Sequence, residues 1–317
     1  MAFSLLMVMD PIASINITKD TSFGMLLEAQ RRGWQLFYCQ PQDLYLEQGK
    51  IKAICQRIEV FNDNSRWFAA EEACTIELSQ ISAVLMRKDP PFDMNYIYST
   101  YLLELAQQQG TLVVNDPRSL RDCNEKLFTA WFPKLTPKTL VSANKQLLKK
   151  FINEQQDVIL KPLDGMGGSS IFRVQANDPN VSVIIETLTA QGKDLAMAQK
   201  FIPEITKGDK RILIVNGQVI PYVLSRIPKT GETRGNLAAG GSGVPMPISE
   251  QEMLIAQQVA PELLKRGLLF VGLDVIGNYV TEINVTSPTC MRELDKEYGL
   301  NIAGDLFSAI ETLLQNQ

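Results

Sequence analysis

The sequence contains no histidine among its 317 residues. That absence excludes a Ser-His-Asp triad, a Cys-His pair and every zinc site built on imidazole. Cysteine is scarce: Cys39, Cys55, Cys74, Cys123 and Cys290 are odd in number, widely spaced and form no C-x-x-C motif. This pattern points to reduced thiols and a cytoplasmic setting rather than a disulfide framework. No apolar run approaches the roughly 18–20 residues of a membrane span. The apolar start "MAFSLLMVMD" has no basic segment before it and meets Asp10 at once, which suits a buried first strand better than a signal peptide. Charge of either sign is not in excess. With 31 basic and 35 acidic residues the net charge is −4, which argues against broad binding to nucleic acid or an anionic membrane. The chemistry left open is that of carboxylates, Lys and Arg, an oxygen-bound metal or a nucleotide.

The length allows two or three small domains. In the first third, strand and helix signals alternate. "SLLMVM" and "WQLFYC" are compact strands around a helix that starts at polar capping residues and stops at Gly33. "DLYLEQGKIKAICQRIEVF" predicts a hairpin turning at Gln48-Gly49. "ISAVLMR" is a further strand, followed by the turn "KDPPFD", a helix over 94–109, a stop at Gly110 and the strand "TLVVN". Such alternation predicts a parallel α/β sheet whose ligands gather at strand C-terminal ends, where Asp10 and Arg87 fall. "SLRDCNEKLFTAWF" predicts a helix carrying Lys126. Beyond it the pattern becomes antiparallel α+β. "DVILKPL" and "IFRV" flank a glycine loop, and "LAMAQKF" is a third strand. "DKRILIV" and "VIPYVLSRI" are joined by Asn216-Gly217, a strong hairpin signal. A helix over 251–266, a hairpin through 268–284 and a helix over 301–314 complete the chain.

Two segments stand out chemically. "LKPLDGMGGSSIFRV" sets Lys161 at a strand end before Gly165, Gly167 and Gly168, and glycines let backbone amides approach a phosphate. The spacing fits neither Walker A nor G-x-G-x-x-G, and alone it reads equally as a hairpin turn with a lysine on its rim. In "GLDVIGNYVTEINVTSP", a three-residue loop at Gly277-Asn278-Tyr279 pairs Ile276 with Val280 and sets Asp274 across from Glu282, with Asn284 two residues on. Opposed carboxylates need a cation, and two carboxylates with an amide oxygen suit Mg²⁺. A two-residue turn puts the two acids on opposite faces instead. Arg211 and Arg226 lie on the strands around Asn216-Gly217, where paired guanidiniums beside a metal–phosphate site would stabilise negative charge. Trp34, Trp67, Trp131, Met166 and Met197 are taken as packing residues. Cys123 and Cys290 lack a neighbouring base and so a nucleophilic role.

The segments "MDPIASINITKDTSF", "LMRKDPPFD", "SLRDCNEKLFTAWF", "ILKPLDGMGGSSIFRV", "GETRGNLAAGG" and "VGLDVIGNYVTEINVTSPT" resemble, in order and over essentially the whole chain, the prokaryotic-type glutathione synthetases of the ATP-grasp superfamily. The resemblance implies an N-terminal parallel α/β domain (1–121), then an ATP-grasp fold of two α+β subdomains (122–200 and 201–317), with a lid loop over 228–243. It implies ATP-dependent ligation of γ-glutamylcysteine to glycine through an acyl phosphate, with Mg²⁺ (or Mn²⁺ in its place) on the nucleotide phosphates. By position, Lys126 and Lys161 would hold phosphates under the loop of Gly165, Gly167 and Gly168. Backbone at Lys200, Phe201 and Ile202 would meet adenine, and Asp209 ribose. Asp274, Glu282 and Asn284 would hold magnesium, while Arg211 and Arg226 face the acyl phosphate. Arg87, Asn284, Ser287 and Pro288 would hold the dipeptide. Lys200 and Phe201 stand where the family pattern suggests Asn and Tyr, and residues 50–80 resemble it weakly. The resemblance also implies a homo-oligomer, as a tetramer.

A different ATP-grasp carboxylate–amine ligase, making a D-alanine dipeptide or adding glutamate to a protein, is the near alternative. A nucleotide-binding regulator without turnover is the distant one. "ETRGNLAAGGSG" (232–243) is rich in glycine like a linker, yet it directly follows the strand carrying Arg226. A lid explains this placement, with Arg234 and Asn236 meeting the acyl phosphate or the glycine carboxylate.

Overall fold

The computed structural model describes residues 3–237 and 240–316. Ala238 and Ala239, within the segment expected to be a lid, lie outside the described residues.

The chain opens with β1 (Ser4–Val8), α1 (Thr21–Arg31), β2 (Gln35–Cys39), β3 (Leu44–Glu47) and β4 (Lys50–Val60). Asp20 starts α1 by accepting the Phe23 amide at 2.6 Å, and Gly33 follows its end with φ +80°. β5 (Phe68–Ala70), β6 (Cys74–Glu77), β7 (Ala83–Met86), α2 (Met94–Gln108) and β8 (Leu112–Val114) follow. β2, β1, β7 and β8 run parallel, and β4 pairs antiparallel with β2, β3, β5 and β6 to widen the sheet to eight strands. The short β5 and β6, within the weakly resembling stretch, were not legible as strands in the sequence.

After α3 (Pro117–Asp122) the expected long helix breaks. Asn124 accepts the Lys126 and Leu127 amides through its side-chain oxygen, at 3.1 and 2.9 Å. This local bond competes with helix continuation and restarts the chain as a short 3-10 turn, Leu127–Trp131. Lys126 therefore caps that turn rather than riding on a helix. The freed segment runs beside the last hairpin, and its Glu125 and Leu135 carbonyls accept the Ile283 and Val280 amides at 2.8 Å.

The middle of the chain is a small antiparallel sheet, ordered β11-β10-β12-β9, of β9 (Thr139–Ser142), β10 (Asp157–Pro162), β11 (Phe172–Gln175) and β12 (Ala196–Lys200). Helices α4 (Lys145–Gln155) and α5 (Val181–Leu188) cover it. Leu148, Ile152, Val158, Leu160, Val174 and Ile185 form its own core. The last sheet, β15-β14-β13-β16-β17, joins β13 (Asp209–Val215), β14 (Gln218–Ile227), β15 (Ser242–Pro247), β16 (Phe270–Ile276) and β17 (Tyr279–Asn284). Helices α6 (Glu250–Lys265), α7 (Met291–Tyr298) and α8 (Ile302–Gln315) pack around it.

The first and last sheets share their cores. Leu6, Val8, Met86 and Val113 of the parallel sheet cluster with Ile212, Ile214, Leu273 and Ile283 of the last one. Buried Asn115, just past β8, ties the seam: its amide donates to the Phe270 and Val285 carbonyls (2.9 and 2.7 Å), and its oxygen accepts the Phe270 amide (2.9 Å). Asn115→Ala leaves three buried backbone groups without partners, each worth about 1–3 kcal/mol. The variant is expected to unfold at least about 3 kcal/mol more easily in urea, with the denaturant slope unchanged.

Candidate active site

The hairpin β16–β17 sets the centre of the site, though not by the expected turn. Ile276 pairs with Tyr279 around a two-residue Gly277-Asn278 turn, and a bulge between Asp274 and Val275 then shifts the register. The extra residue at Thr281 returns Asp274 opposite Glu282 and Gly272 opposite Asn284. The juxtaposition expected from the sequence is present; the three-residue turn is not.

The cations beside these acids are side chains. Arg211, opposite Asp274 on β13, grips it with two bonds: Nε to Oδ1 at 2.5 Å and Nη2 to Oδ2 at 3.1 Å. Arg226 adds Nη2 to Asp274 Oδ2 at 2.8 Å and to Asp209 Oδ2 at 2.5 Å. Asn284 Nδ2 also donates to Asp274 Oδ2, at 3.2 Å. All four charged groups are buried. Burial opposes ionisation of Asp274, yet the two guanidiniums hold its carboxyl at about 2. Asp209 goes the other way: burial raises it to about 7 against the pull of Arg226, with Asp274 and Glu282 adding to the rise. Its Oδ1 is buried without a hydrogen-bond partner.

Glu282 faces two ammoniums, with Lys126 Nζ at 3.8 Å and Lys161 Nζ at 3.7 Å. Lys161, buried at the end of β10, donates to the Thr281 carbonyl at 3.2 Å, and burial lowers its pKa. Lys126 bridges Glu125 and the Gly165 carbonyl. Glu125, unremarked in the sequence, completes the cluster. Burial and then the charge of Glu282 raise its pKa. Its only sequence signal is adjacency to Lys126. Among the described residues, no three His, Cys, Asp or Glu side chains converge as a metal site; the expected donor set is two carboxylates and an amide.

The glycine loop between β10 and β11 turns through positive φ at Gly167 (+61°) and Gly168 (+83°). There it meets the loop after β14. Arg234 Nη1 donates to the Gly168 carbonyl at 3.1 Å, and a Cβ on Gly168 would sit 2.9 Å from Asn236 Oδ1. That second loop is narrower than the sequence suggested. Ser242 and Gly243 belong to β15 and pair with Ile227 and Arg226, so the loop proper spans 228–241.

Two clefts meet at Glu282. One, of about 640 Å³, is lined by Lys161, Lys200, Phe201, Ile202, Asp209 and Arg234 among others. The amides of Lys200 and Phe201 are bonded to the Lys138 and Asp157 carbonyls, which leaves other groups of these residues for a ligand. Arg173 stacks over the Phe201 ring at 3.7 Å. The second cleft, of about 820 Å³, takes in Gly167, Arg211, Arg226, Asn284, Ser287 and Pro288, along with Glu125, Met166 and Cys290. Arg234 lines the first cleft together with Asp209, the partner of Arg226, and Asn236 borders both clefts. Trp34 and Met197 are buried, Trp67 packs partly against the core and the half-exposed Trp131 leans on Phe128, whereas Met166 is exposed and borders the second cleft. A further recess holds Arg87, Asp10, Asp20, Asp89 and Ser287 at the end of the parallel sheet. Arg87 donates to Ser22 Oγ (3.1 Å) and the Pro288 carbonyl (2.8 Å), and burial lowers its pKa to about 10.

This arrangement can hold a polyanion between the lysines and arginines at the meeting of the clefts. The model of the prokaryotic glutathione synthetase N-terminal domain matches residues 3–121, and that of the prokaryotic glutathione synthetase ATP-grasp domain matches residues 125–299. The glutathione synthetase of Vibrio vulnificus (strain YJ016) is 61% identical over 317 residues, covering 100% of both chains. That of Escherichia coli (strain K12) is 57% identical over 310 residues, covering 98% of each. Among solved structures, the D-cycloserine synthetase DcsG aligns with a TM-score of 0.67 at 15% identity, over 96% of this chain and 99% of the other. The ATP-grasp ligase PsnB, complexed with minimal precursor, Mg and ADP, aligns at 0.62 and 16% identity, over 98% of each chain. The second and third sheets are thus an ATP-grasp fold following the family's N-terminal domain, and the chain belongs to the prokaryotic glutathione synthetase family.

Proposed function

We propose that the protein joins γ-glutamylcysteine to glycine with ATP, giving glutathione, ADP and phosphate. The observation that carries the reading is the meeting of two clefts at Glu282, flanked by two lysines and two arginines, in a chain 57–61% identical to glutathione synthetases over nearly its full length.

Nucleotide fits the first cleft. Lys200, Phe201 and Ile202 would line the base, the unpartnered Oδ1 of Asp209 would accept a ribose hydroxyl, and Lys126 and Lys161 would hold phosphates under Gly165, Gly167 and Gly168. The dipeptide takes the second cleft and the Arg87 recess, with Asn284, Ser287 and Pro288 around it. Its carboxylate attacks the γ-phosphorus, ADP departs, and the glycine amine displaces phosphate from the acyl carbon with loss of an amine proton. Arg211 and Arg226 stabilise the charge that spreads over the transferring group, and no histidine is needed.

Asp274, Glu282 and Asn284 supply hard oxygens suited to magnesium. The crowding of Glu125 and Glu282, which raises the Glu125 pKa, is relieved by a cation. Magnesium, when bound, neutralises phosphate charge. Asp274 Oδ2 accepts from Arg211, Arg226 and Asn284, whereas among the described residues Oδ1 accepts from Arg211 Nε alone, which leaves Oδ1 an acceptor direction for a cation. Arg234 and Asn236 close the loop 228–241 over the glycine loop and exclude water from the acyl phosphate. The domain boundaries at 121 and 200, a tetrameric assembly and a cytoplasmic location form part of the same proposal.

ADP release is expected to require γ-glutamylcysteine and glycine together. Release with D-alanine alone overturns the substrate assignment, and nucleotide binding without amine-dependent phosphate release overturns turnover itself. Glu282→Ala is expected to lower kcat at least about a hundredfold while the chain stays folded. Asp274→Ala differs, because it leaves the buried Arg211 guanidinium without a carboxylate and Arg226 with Asp209 alone, and is expected to cost about 3–5 kcal/mol of stability as well as activity. Circular dichroism melts beside the kinetics separate the two variants. Deleting 233–241 is expected to remove activity with little change in the melting temperature; equal loss of both makes the segment a structural loop.

A further inference from the structure

Away from the active site, three cysteines form a row across the widened edge of the first sheet. Cys55 on β4 lies directly opposite Cys74, the first residue of antiparallel β6. Directly opposed residues of an antiparallel pair bring their Cβ atoms to about 4.5–5.5 Å, and a disulfide spans Cα atoms about 4.4–6.8 Å apart. Burial, and then the neighbouring Cys74, raise the pKa of the Cys55 thiol. On the other flank of Cys55 stands Cys39, at the end of β2, whose thiol feels the charge of both Asp43 and Cys55. Cys39 and Cys55 are buried, whereas Cys74 is exposed.

We propose that Cys55 and Cys74 are a thiol–disulfide exchange site, open to small-molecule disulfides such as glutathione disulfide and closing reversibly into a cross-strand bridge. Accessibility orders the steps. The Cys74 thiolate attacks one sulfur of the small disulfide, forming a mixed disulfide and releasing one thiolate. Cys55 then gives up its proton and attacks the Cys74 sulfur, and the second small thiolate leaves. Two protein thiols become one disulfide, and one small disulfide becomes two thiols, with no other oxidant needed. The order cannot be reversed, because the buried Cys55 thiol is pushed up to about 12 by desolvation, with Cys74 next, and is not reached from solvent. The registered strand partner of Cys39 is Val8 on β1 rather than a cysteine, and Cys39 is buried. The bridge would staple β4 to β6 around residues 56–73, in the stretch least like the family pattern.

The test uses the full chain, incubated with glutathione disulfide, then denatured and alkylated for intact mass and peptide mapping. The wild type is expected to fall from five alkylatable thiols to three, five less the two of the bridge, with a Cys55–Cys74 cross-linked peptide that dithiothreitol removes. Cys55→Ser is expected to stop at a glutathione adduct on Cys74. Cys74→Ser, a change at an exposed position, is expected to leave Cys55 unmodified. A persistent Cys74 adduct in the wild type with Cys55 still alkylated, a Cys39–Cys55 bridge, or five unmodified thiols would each overturn the proposal.

Discussion

The ion cluster around Asp274 is the constraint on which the site depends. An isolated carboxylate buried as deeply as Asp274 would abandon its charge, yet two guanidiniums, one bidentate, keep it ionised. Each arginine comes from a different strand, so the cluster pins the register of β13, β14 and β16 together. That sheet also shares its core with the parallel sheet, so Arg87 and the Arg211–Arg226 pair are held in one frame. The glycine loop belongs instead to the sheet with a separate core, and it reaches the frame through Lys161, Gly165 and Gly168.

This division gives the site charged groups on paired strands and backbone and polar groups on two loops. Arginines and carboxylates sit on strands, where rotamers are locked by packing. The glycine loop and the segment 228–241 contribute backbone carbonyls, a guanidinium and an amide from loops beside the first cleft. The acyl phosphate of the proposed reaction would call for both: fixed charge to meet a transferring phosphoryl group, and a cover that keeps water out.

The hairpin at Asp274 shows how far local pattern reaches. Alternation along β16 and β17 made the acids face each other only with a three-residue turn, and the structure reaches the same pairing with a shorter turn and a bulge at Thr281. Bulges have no sequence signature comparable to Asn-Gly, so the residues were legible and the route was not. At Lys126 the side chain of Asn124 replaced helical periodicity with a local cap. Glu125, Asp89 and Cys290 went unrecognised because their meaning lies in neighbours distant in the chain.

The sequence by itself determined the absence of imidazole chemistry, the parallel start and the hairpins at Gln48-Gly49 and Asn216-Gly217. These follow from local rules: side-chain alternation, turn residues and capping. Tertiary structure alone decided that the guanidiniums of Arg211 and Arg226 rest on Asp274, that Arg234 lines a cleft with Lys161 and Asp209, and that Cys55 lies opposite Cys74. Those contacts join strands that are separated in the chain, and the energy of a buried charge depends on the partners that folding brings to it.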